Sequence, residues 1–142
     1  MTVPAALAAR VRRRAENRCE YCRMSQSLQG ASFHIEHIIP RKHGGRTVFE
    51  NLALACPGCN LHKADRTHAE DPLMDEIVPL FHPRKSRWND HFEWRGTRIR
   101  GKTATVRATL TALQFNQARR LLIRDAERGF GLFPPPSRTS SR

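Results

Sequence analysis

The stretch FHIEHIIPRKHGG (residues 33–45) places three of the chain's seven histidines beside an acid and a basic loop that ends in two glycines. Its apolar residues favour a β-strand over residues 31–39, which Pro40 would end. Ile35 is expected to face the core, and Glu36 and His37 fall near the end of the strand. Because neighbouring side chains of a strand point to opposite faces, we expect these two side chains to diverge.

The residues that follow predict a second strand and a short helix. TVFENLALA (residues 47–55) begins with turn residues and continues as an apolar strand. CPGCNLHKADR (residues 56–66) opens with Pro and Gly and continues as a helix. The central segment therefore predicts two strands followed by a helix, which makes the chain an α+β protein.

All four cysteines fall into two pairs with two residues between the partners, Cys19 with Cys22 and Cys56 with Cys59. Four thiolates from two such pairs are typical of a structural, tetrahedral zinc site. Disulfides are the alternative, but they form in oxidising compartments and nothing in the sequence indicates secretion. We therefore expect a structural Zn²⁺ site with all four cysteines as ligands.

Charge is the strongest global feature of these 142 residues, whose net charge is +12. A polyanionic partner is expected, either DNA, RNA or an anionic membrane surface, although a basic surface can also serve solubility alone. No apolar run approaches the roughly 18 residues that a membrane span needs. The first charges follow an apolar stretch, the reverse of a secretory signal, so we expect a cytoplasmic protein.

The rest of the chain divides into an N-terminal basic helix (residues 1–18), a core (19–70), a C-terminal extension (71–130) and a disordered tail (131–142). Within the extension, residues 88–103 predict a hairpin, and residues 104–128 predict one long helix. On that helix Arg120, Arg124 and Arg128 recur every fourth residue, which predicts an exposed basic face that follows phosphates. Trp88, Phe92 and Trp94 are expected to form a small core with the same helix.

Residues IEHIIPRKHGG and ENLALACPGCNLHKADR together resemble the HNH endonuclease family, in the subgroup with paired cysteines. The resemblance covers residues 19–66. It implies a small ββα-metal core, similar to a treble clef, that is stabilised by the zinc site of the four cysteines. The N-terminal helix and the C-terminal hairpin and helix would be additions to that core.

The resemblance also implies site roles. His37 would be the general base, Asn51 would hold the loop that orients His37, and Glu36 and Asn60 would bind one catalytic divalent ion. Glu36 stands where the family commonly has Asp, and Asn60 is a known variant of a final His. His34, two residues before Glu36, should lie on the same strand face as that acid. It is expected to be an ordinary surface or core histidine, with a further metal ligand as the alternative.

The chemistry of these residue types is consistent with those roles. An imidazole with a pKa near 6.5 suits deprotonation of a water molecule at neutral pH. A carboxylate and an amide oxygen suit Mg²⁺ or Mn²⁺. Phosphate contacts are expected from the basic loop and the helix after it, at Arg41, Lys42, His43, Lys63 and Arg66.

The sequence therefore predicts a metal-dependent hydrolase that cleaves DNA and leaves 5′-phosphate and 3′-hydroxyl ends. The alternative is a zinc-knuckle nucleic-acid-binding protein that has lost catalysis. A toxin or defence effector would use the same chemistry in another setting. No element of the sequence identifies a target site, so a homodimer or a specificity partner stays open.

Overall fold

The computed structural model describes residues 3–136, and its helices and strands are short and mixed along the chain. Residues 1–2 and 137–142, which include parts of the predicted basic helix and tail, lie outside the described residues. The helices and strands are, in order, α1 (Ala5–Ala15), β1 (His34–His37), β2 (Leu52–Ala55), α2 (Pro57–Lys63), β3 (His68–Glu70), β4 (Ile77–Pro79), α3 (Trp88–His91), β5 (Phe92–Arg95), β6 (Arg98–Gly101), α4 (Ala104–Ala112) and α5 (Ala118–Gly129).

The β1–β2 hairpin and α2 confirm the predicted ββα core. The two strands pair antiparallel, with His34 opposite Ala55 and His37 opposite Leu52. Every residue of β2 is buried. At the start of α2, the Cys56 sulfur accepts a hydrogen bond from the Cys59 amide at 3.4 Å, so a cysteine also caps the helix.

Helix α1 packs on this core through Val11 and Ala15, which are both buried. Arg14 also turns inward. Its guanidinium donates to the Phe49 carbonyl at 2.9 Å and to the Glu20 carboxylate at 3.0 Å. The first helix is therefore attached to the core by a buried ion pair as well as by apolar contact.

A small sheet that was not predicted crosses the predicted boundary between core and extension, because β3 lies before residue 71 and β4 lies after it. Strands β3 and β4 pair antiparallel, and the acidic segment between them forms their connection. Asp71 in that connection is fully buried and pairs with Arg107 at 2.8 Å. The acidic segment, which the predicted division places at the start of the extension, is therefore part of a folded hairpin.

The second hairpin, β5–β6, confirms the prediction for residues 88–103. Gly96 occupies the left-handed region in its turn, with φ +61°. The predicted aromatic core is also present. The Trp88 and Phe92 rings lie 4.8 Å apart, and Phe92 contacts Phe115 at a ring separation of 5.6 Å.

The prediction of one helix over residues 104–128 is wrong, because the chain breaks between α4 and α5. Gln114 adopts a left-handed conformation with φ +54°. The break buries Phe115 and allows the Asn116 side chain to bind the Ile99 backbone, with contacts of 2.8 Å to the amide and 2.7 Å to the carbonyl. Burial of the Phe115 side chain and the contacts of Asn116 with Ile99 both require that the chain is not helical between α4 and α5.

The predicted exposed arginine face of this segment is also wrong. Arg120 is 4% exposed and Arg124 is 1% exposed, whereas Leu122 is 72% exposed. Helix α5 therefore packs against the core with the face that carries Arg120 and Arg124. Of the three arginines predicted to be exposed, only Arg128 lies on the surface.

A continuous hydrophobic core joins the ββα centre of the chain to its extension. It runs from Val11 and the four cysteines to Trp88, Val106 and Phe115. Residues 131–136, assigned to the tail in the sequence analysis, are described as well, and the Phe133 ring packs against Trp94 at 4.9 Å. No helix within residues 3–136 is long and apolar enough to cross a membrane.

Candidate functional site

The four cysteines converge on one point in the core. All four are buried and none forms a disulfide, and their sulfur atoms lie within 4.8 Å of one another. The Cys22 and Cys56 sulfurs are 3.7 Å apart. Zn–S bonds of about 2.3 Å in a tetrahedron require sulfur separations of about 3.8 Å. The cluster therefore fits a tetrahedral ion such as zinc, and the structure does not contain the alternative disulfides.

Electrostatics also favour a cation at this cluster. Burial raises the pKa of the Cys19 and Cys59 thiols well above the usual range, whereas hydrogen bonds from the other three cysteines lower the pKa of Cys22. These sulfur atoms become stable thiolates only when a cation compensates their charge. Within residues 3–136, this is the grouping of three or more His, Cys, Asp or Glu side chains that could hold a metal ion.

A second site lies beside the hairpin, where Glu36, His37 and Asn60 line one open pocket together with Arg41. Strand β1 carries the acid and the histidine, and α2, which begins shortly after β2, carries the asparagine. The structure thus brings together residues that are 24 positions apart in the chain.

Glu36 is held from two sides. The Tyr21 hydroxyl donates to its Oε1, and the Lys63 ammonium lies 3.3 Å from its Oε2. Burial raises the pKa of Glu36, against the lowering effects of Lys63 and Tyr21. Ile35 is half-buried and packs against the hydrophobic core, as expected, whereas Glu36 is the buried residue of β1.

One ring nitrogen of His37 forms a hydrogen bond. Its Nε2 lies 2.8 Å from the Thr47 hydroxyl. When Nε2 donates to that oxygen, Nδ1 is the nitrogen with a lone pair for a proton. Partial burial lowers the pKa of His37, and the positive charges of Arg41 and Lys63 lower it further. Both effects favour the neutral imidazole.

Asn51 closes the loop that leads from β1 to β2. Its Oδ1 accepts from the Ile39 amide at 2.9 Å, and its Nδ2 donates to the Ile39 carbonyl at 3.0 Å and to the Arg46 carbonyl at 2.9 Å. Gly45 makes room for this contact, because a Cβ there would lie 1.7 Å from the Ile39 carbonyl oxygen. This geometry is the one expected of a residue that holds the loop.

The predicted phosphate contacts separate into surface and buried residues. Arg41, Lys42 and His43 are exposed on one helical turn, where Lys42 pairs with Asp65. Arg66 is exposed shortly after the end of α2. Lys63 differs from the prediction, because it is 2% exposed and its ammonium binds Glu36 and the His37 carbonyl. A phosphate cannot reach it in this conformation.

Two residues of the site were missed from the sequence, Tyr21 and Thr47. Tyr21 lies between the two cysteines of the first pair, so the cysteine cluster itself restricts where its hydroxyl can reach. Thr47 follows the glycine pair within the loop, and no spacing pattern links it to His37. The sequence therefore contains a pattern that could have identified Tyr21 as a residue of the site, whereas it contains none for Thr47.

The comparison with protein-family models gives one match. Residues 19–66 match the model described as HNH endonuclease. Neither the curated proteins nor the solved structures contain a significant match to the chain. The matched segment starts at the first cysteine of the cluster and includes every residue that lines the Glu36–His37–Asn60 pocket. Residues 19–66, about a third of the chain, are therefore similar to an HNH endonuclease domain.

Proposed function

We propose that this protein is a metal-dependent endonuclease that hydrolyses DNA phosphodiester bonds and leaves 5′-phosphate and 3′-hydroxyl ends. The observation that carries the proposal is the shared pocket of Glu36, His37 and Asn60. A neutral imidazole, a carboxylate and an amide oxygen are the groups that metal-dependent hydrolysis of a phosphodiester needs at one place.

In the proposed reaction, His37 accepts a proton from a water molecule through Nδ1 while Nε2 is hydrogen-bonded to Thr47. The water oxygen forms a bond to phosphorus and the bond from phosphorus to the 3′ oxygen breaks. The electron pair leaves with the 3′ oxygen, which takes up a proton. Asn51 contributes by holding the loop that carries Thr47.

Glu36 and Asn60 would hold the catalytic ion, Mg²⁺ or Mn²⁺, since both offer hard oxygen donors to one pocket. A bound divalent ion would supply neutralisation of the charge that develops on the phosphate and the leaving oxygen. The four-cysteine cluster would hold a separate, structural Zn²⁺.

DNA is the proposed substrate because residues 19–66 are similar to HNH endonucleases. The net charge of +12 and the exposed Arg41, His43 and Arg66 support a polyanionic partner in general. Arg41 lines the pocket itself. These side chains would position the phosphate backbone and would contribute no preference for particular bases.

A second candidate function is favoured by one observation, the Lys63 ammonium bound to Glu36. A cation of the protein already neutralises the carboxylate that would bind the catalytic ion. A nucleic-acid-binding domain that has lost catalysis would retain this arrangement together with the cysteines and the basic surface.

Cleavage of supercoiled plasmid separates the two candidates. The purified protein is incubated with Mg²⁺, Mn²⁺ or EDTA beside His37→Ala and the matched variant His34→Ala, which changes an exposed histidine of the same strand. We expect metal-dependent nicking that falls by about 10²–10⁴-fold in His37→Ala and is retained in His34→Ala. DNA binding with a steep salt dependence but without cleavage in any metal would support the binding domain instead.

A further inference from the structure

Helix α5, which lies outside the matched segment, directs a buried arginine at the cysteine cluster. The Arg120 side chain is 4% exposed, and its Nη1 lies 3.4 Å from the Cys59 sulfur. Its Nη2 is buried without a hydrogen-bond partner among the described residues. Within residues 3–136, no carboxylate forms an ion pair with this guanidinium.

A buried guanidinium needs a negative counter-charge. Arginine stays protonated in proteins, and burial of an unpaired ion costs several kcal/mol. Neutral thiols cannot supply the missing charge. Four thiolates that bind one divalent ion can, because two negative charges remain on the cluster after the ion is bound.

Arg124, one turn further along α5, supplies a second buried positive charge. It is 1% exposed, and it donates to the carbonyls of Thr97 at 2.9 Å and Phe115 at 2.7 Å. Burial and the charge of Arg120 lower the pKa of Arg124, whereas negative charge on Cys22 and Cys59 raises it. Two guanidinium charges thus match the two negative charges left on a divalent tetrathiolate.

One further buried acid lies in this region. The Glu127 carboxylate accepts from the Ser25 amide at 2.9 Å through Oε2, and its Oε1 is buried without a hydrogen-bond partner among the described residues. Burial raises the pKa of Glu127, whereas the charges of Arg18 and Arg124 lower it.

The second cysteine pair is adapted to receive the arginine. A Cβ on Gly58, between Cys56 and Cys59, would lie 2.1 Å from the Arg120 Nη2 atom. A side chain at position 58 would therefore displace the guanidinium from its place beside Cys59. This contact is independent of the charge argument and links the cysteine pair to α5.

We propose that Arg120, supported by Arg124, is the counter-ion of a divalent metal centre at the four cysteines. The extension therefore belongs to the metal site, and loss of the Arg120 charge weakens metal binding from a position 61 residues away from Cys59 in the chain. The inference rests on metal occupancy of the cluster, and it does not depend on nuclease activity.

The test measures zinc retention in the folded, metal-loaded protein. The zinc content of the wild type is determined first, and then the rate of zinc transfer to the chromogenic chelator 4-(2-pyridylazo)resorcinol. Loss of a partner of a metal ligand weakens metal binding by about 10–100-fold. We expect zinc transfer from Arg120→Gln to be faster by a similar factor, whereas Arg119→Gln, an exposed neighbour on the same helix, keeps the wild-type rate.

A spectroscopic measurement separates this role from simple packing of α5. With Co²⁺ bound to the cysteines, the sulfur-to-cobalt charge-transfer band depends on the energy of the sulfur lone pairs. Removal of the positive charge beside Cys59 raises that energy, so the band of Arg120→Gln moves to longer wavelength. A role in packing alone would leave the band of the folded variant unchanged.

The outcomes distinguish the inference from the proposed metal site. A wild-type protein without zinc would overturn both. Zinc in the wild type together with unchanged transfer and an unchanged cobalt band in Arg120→Gln would overturn the role of Arg120 alone. If Arg120→Gln does not fold, Arg120→Lys decides, because it keeps the positive charge and changes the shape of the side chain. Zinc transfer at about the wild-type rate supports the role as counter-ion, and transfer from the folded Arg120→Lys variant that is as fast as loss of the side chain would allow overturns it.

Discussion

Asn51 and Ile39 are joined by two hydrogen bonds that close the base of the loop between β1 and β2. The Asn51 side chain accepts from the Ile39 amide at 2.9 Å and donates to the Ile39 carbonyl at 3.0 Å. The closed loop carries Thr47, which contacts His37 at 2.8 Å. The position of the proposed base therefore depends on an amide side chain whose hydrogen bonds go to the backbone of the loop.

Asn51→Ala should lose stability and cleavage together. The substitution removes three side-chain hydrogen bonds and leaves the Ile39 backbone groups without these partners. We expect the free energy of unfolding to fall by about 1–3 kcal/mol, measured by denaturant titration, and plasmid nicking to fall at temperatures where the variant is folded. Asn51→Asp is the matched control, since it keeps the acceptor but loses both donor contacts. Unchanged nicking in folded Asn51→Ala would contradict the role of the loop.

Thr47→Val should slow cleavage without weakening DNA binding. The variant keeps the shape of the side chain but cannot accept a hydrogen bond from His37 Nε2. Ångström-scale misplacement of a reacting group costs up to about 100-fold in rate, and we expect a loss within that range. Thr47→Ser retains the hydroxyl and should restore the rate. Nitrogen NMR of the His37 ring should show a smaller Nε2–H population in Thr47→Val, and identical spectra would argue against positioning by Thr47.

The pH dependence of cleavage should reflect the neutral form of His37. Because partial burial and the charges of Arg41 and Lys63 lower the pKa of His37, the rate should rise with pH through a value below the usual 6.5 and level off above it. Arg41→Gln removes one of the positive charges, so the pKa of His37 rises and the rising limb moves to higher pH. Arg46→Gln changes an exposed arginine of the same loop and should leave the limb in place. A limb that does not move in Arg41→Gln would exclude His37 as the titrating group.

Lys63→Met should destabilise the protein in a manner that depends on pH and on metal. Removal of one partner of a buried ion pair costs about 3–5 kcal/mol, and Lys63 is 2% exposed against Glu36. Lys63 lowers the pKa of Glu36, so its loss raises that already raised pKa further. A folded-state pKa above the unfolded one binds extra protons in the folded state, so the stability of the variant should fall as pH rises through the pKa of Glu36.

Millimolar Mn²⁺ should stabilise Lys63→Met more than the wild type, because a bound cation takes over the missing charge at Glu36. Thermal unfolding with and without Mn²⁺ measures this difference. Lys85→Met, which changes an exposed lysine, is the control. An equal effect of Mn²⁺ on the wild type and on Lys63→Met would indicate that Glu36 does not bind the ion.

Much of the domain was accessible from the sequence because its signals are local. The spacing of Cys19 with Cys22 and of Cys56 with Cys59 predicts one tetrahedral metal site. In the structure the four sulfur atoms lie close enough together for a single ion to bind all of them. Apolar runs with flanking Pro and Gly predicted β1, β2 and α2 close to their observed positions.

The sequence by itself therefore determined the ββα core, the cysteine cluster and the main residues of the candidate pocket. Only the tertiary structure decided which charges lie inside. The helical periodicity of the sequence predicts that Arg120 and Arg124 lie on a solvent-exposed face. Burial of an arginine is unfavourable unless a counter-charge lies beside it. That counter-charge lies 61 residues away in the chain, at Cys59, and similarly Lys63 is buried because Glu36 lies beside it. Local pattern contains no information about such distant partners, and packing supplies it.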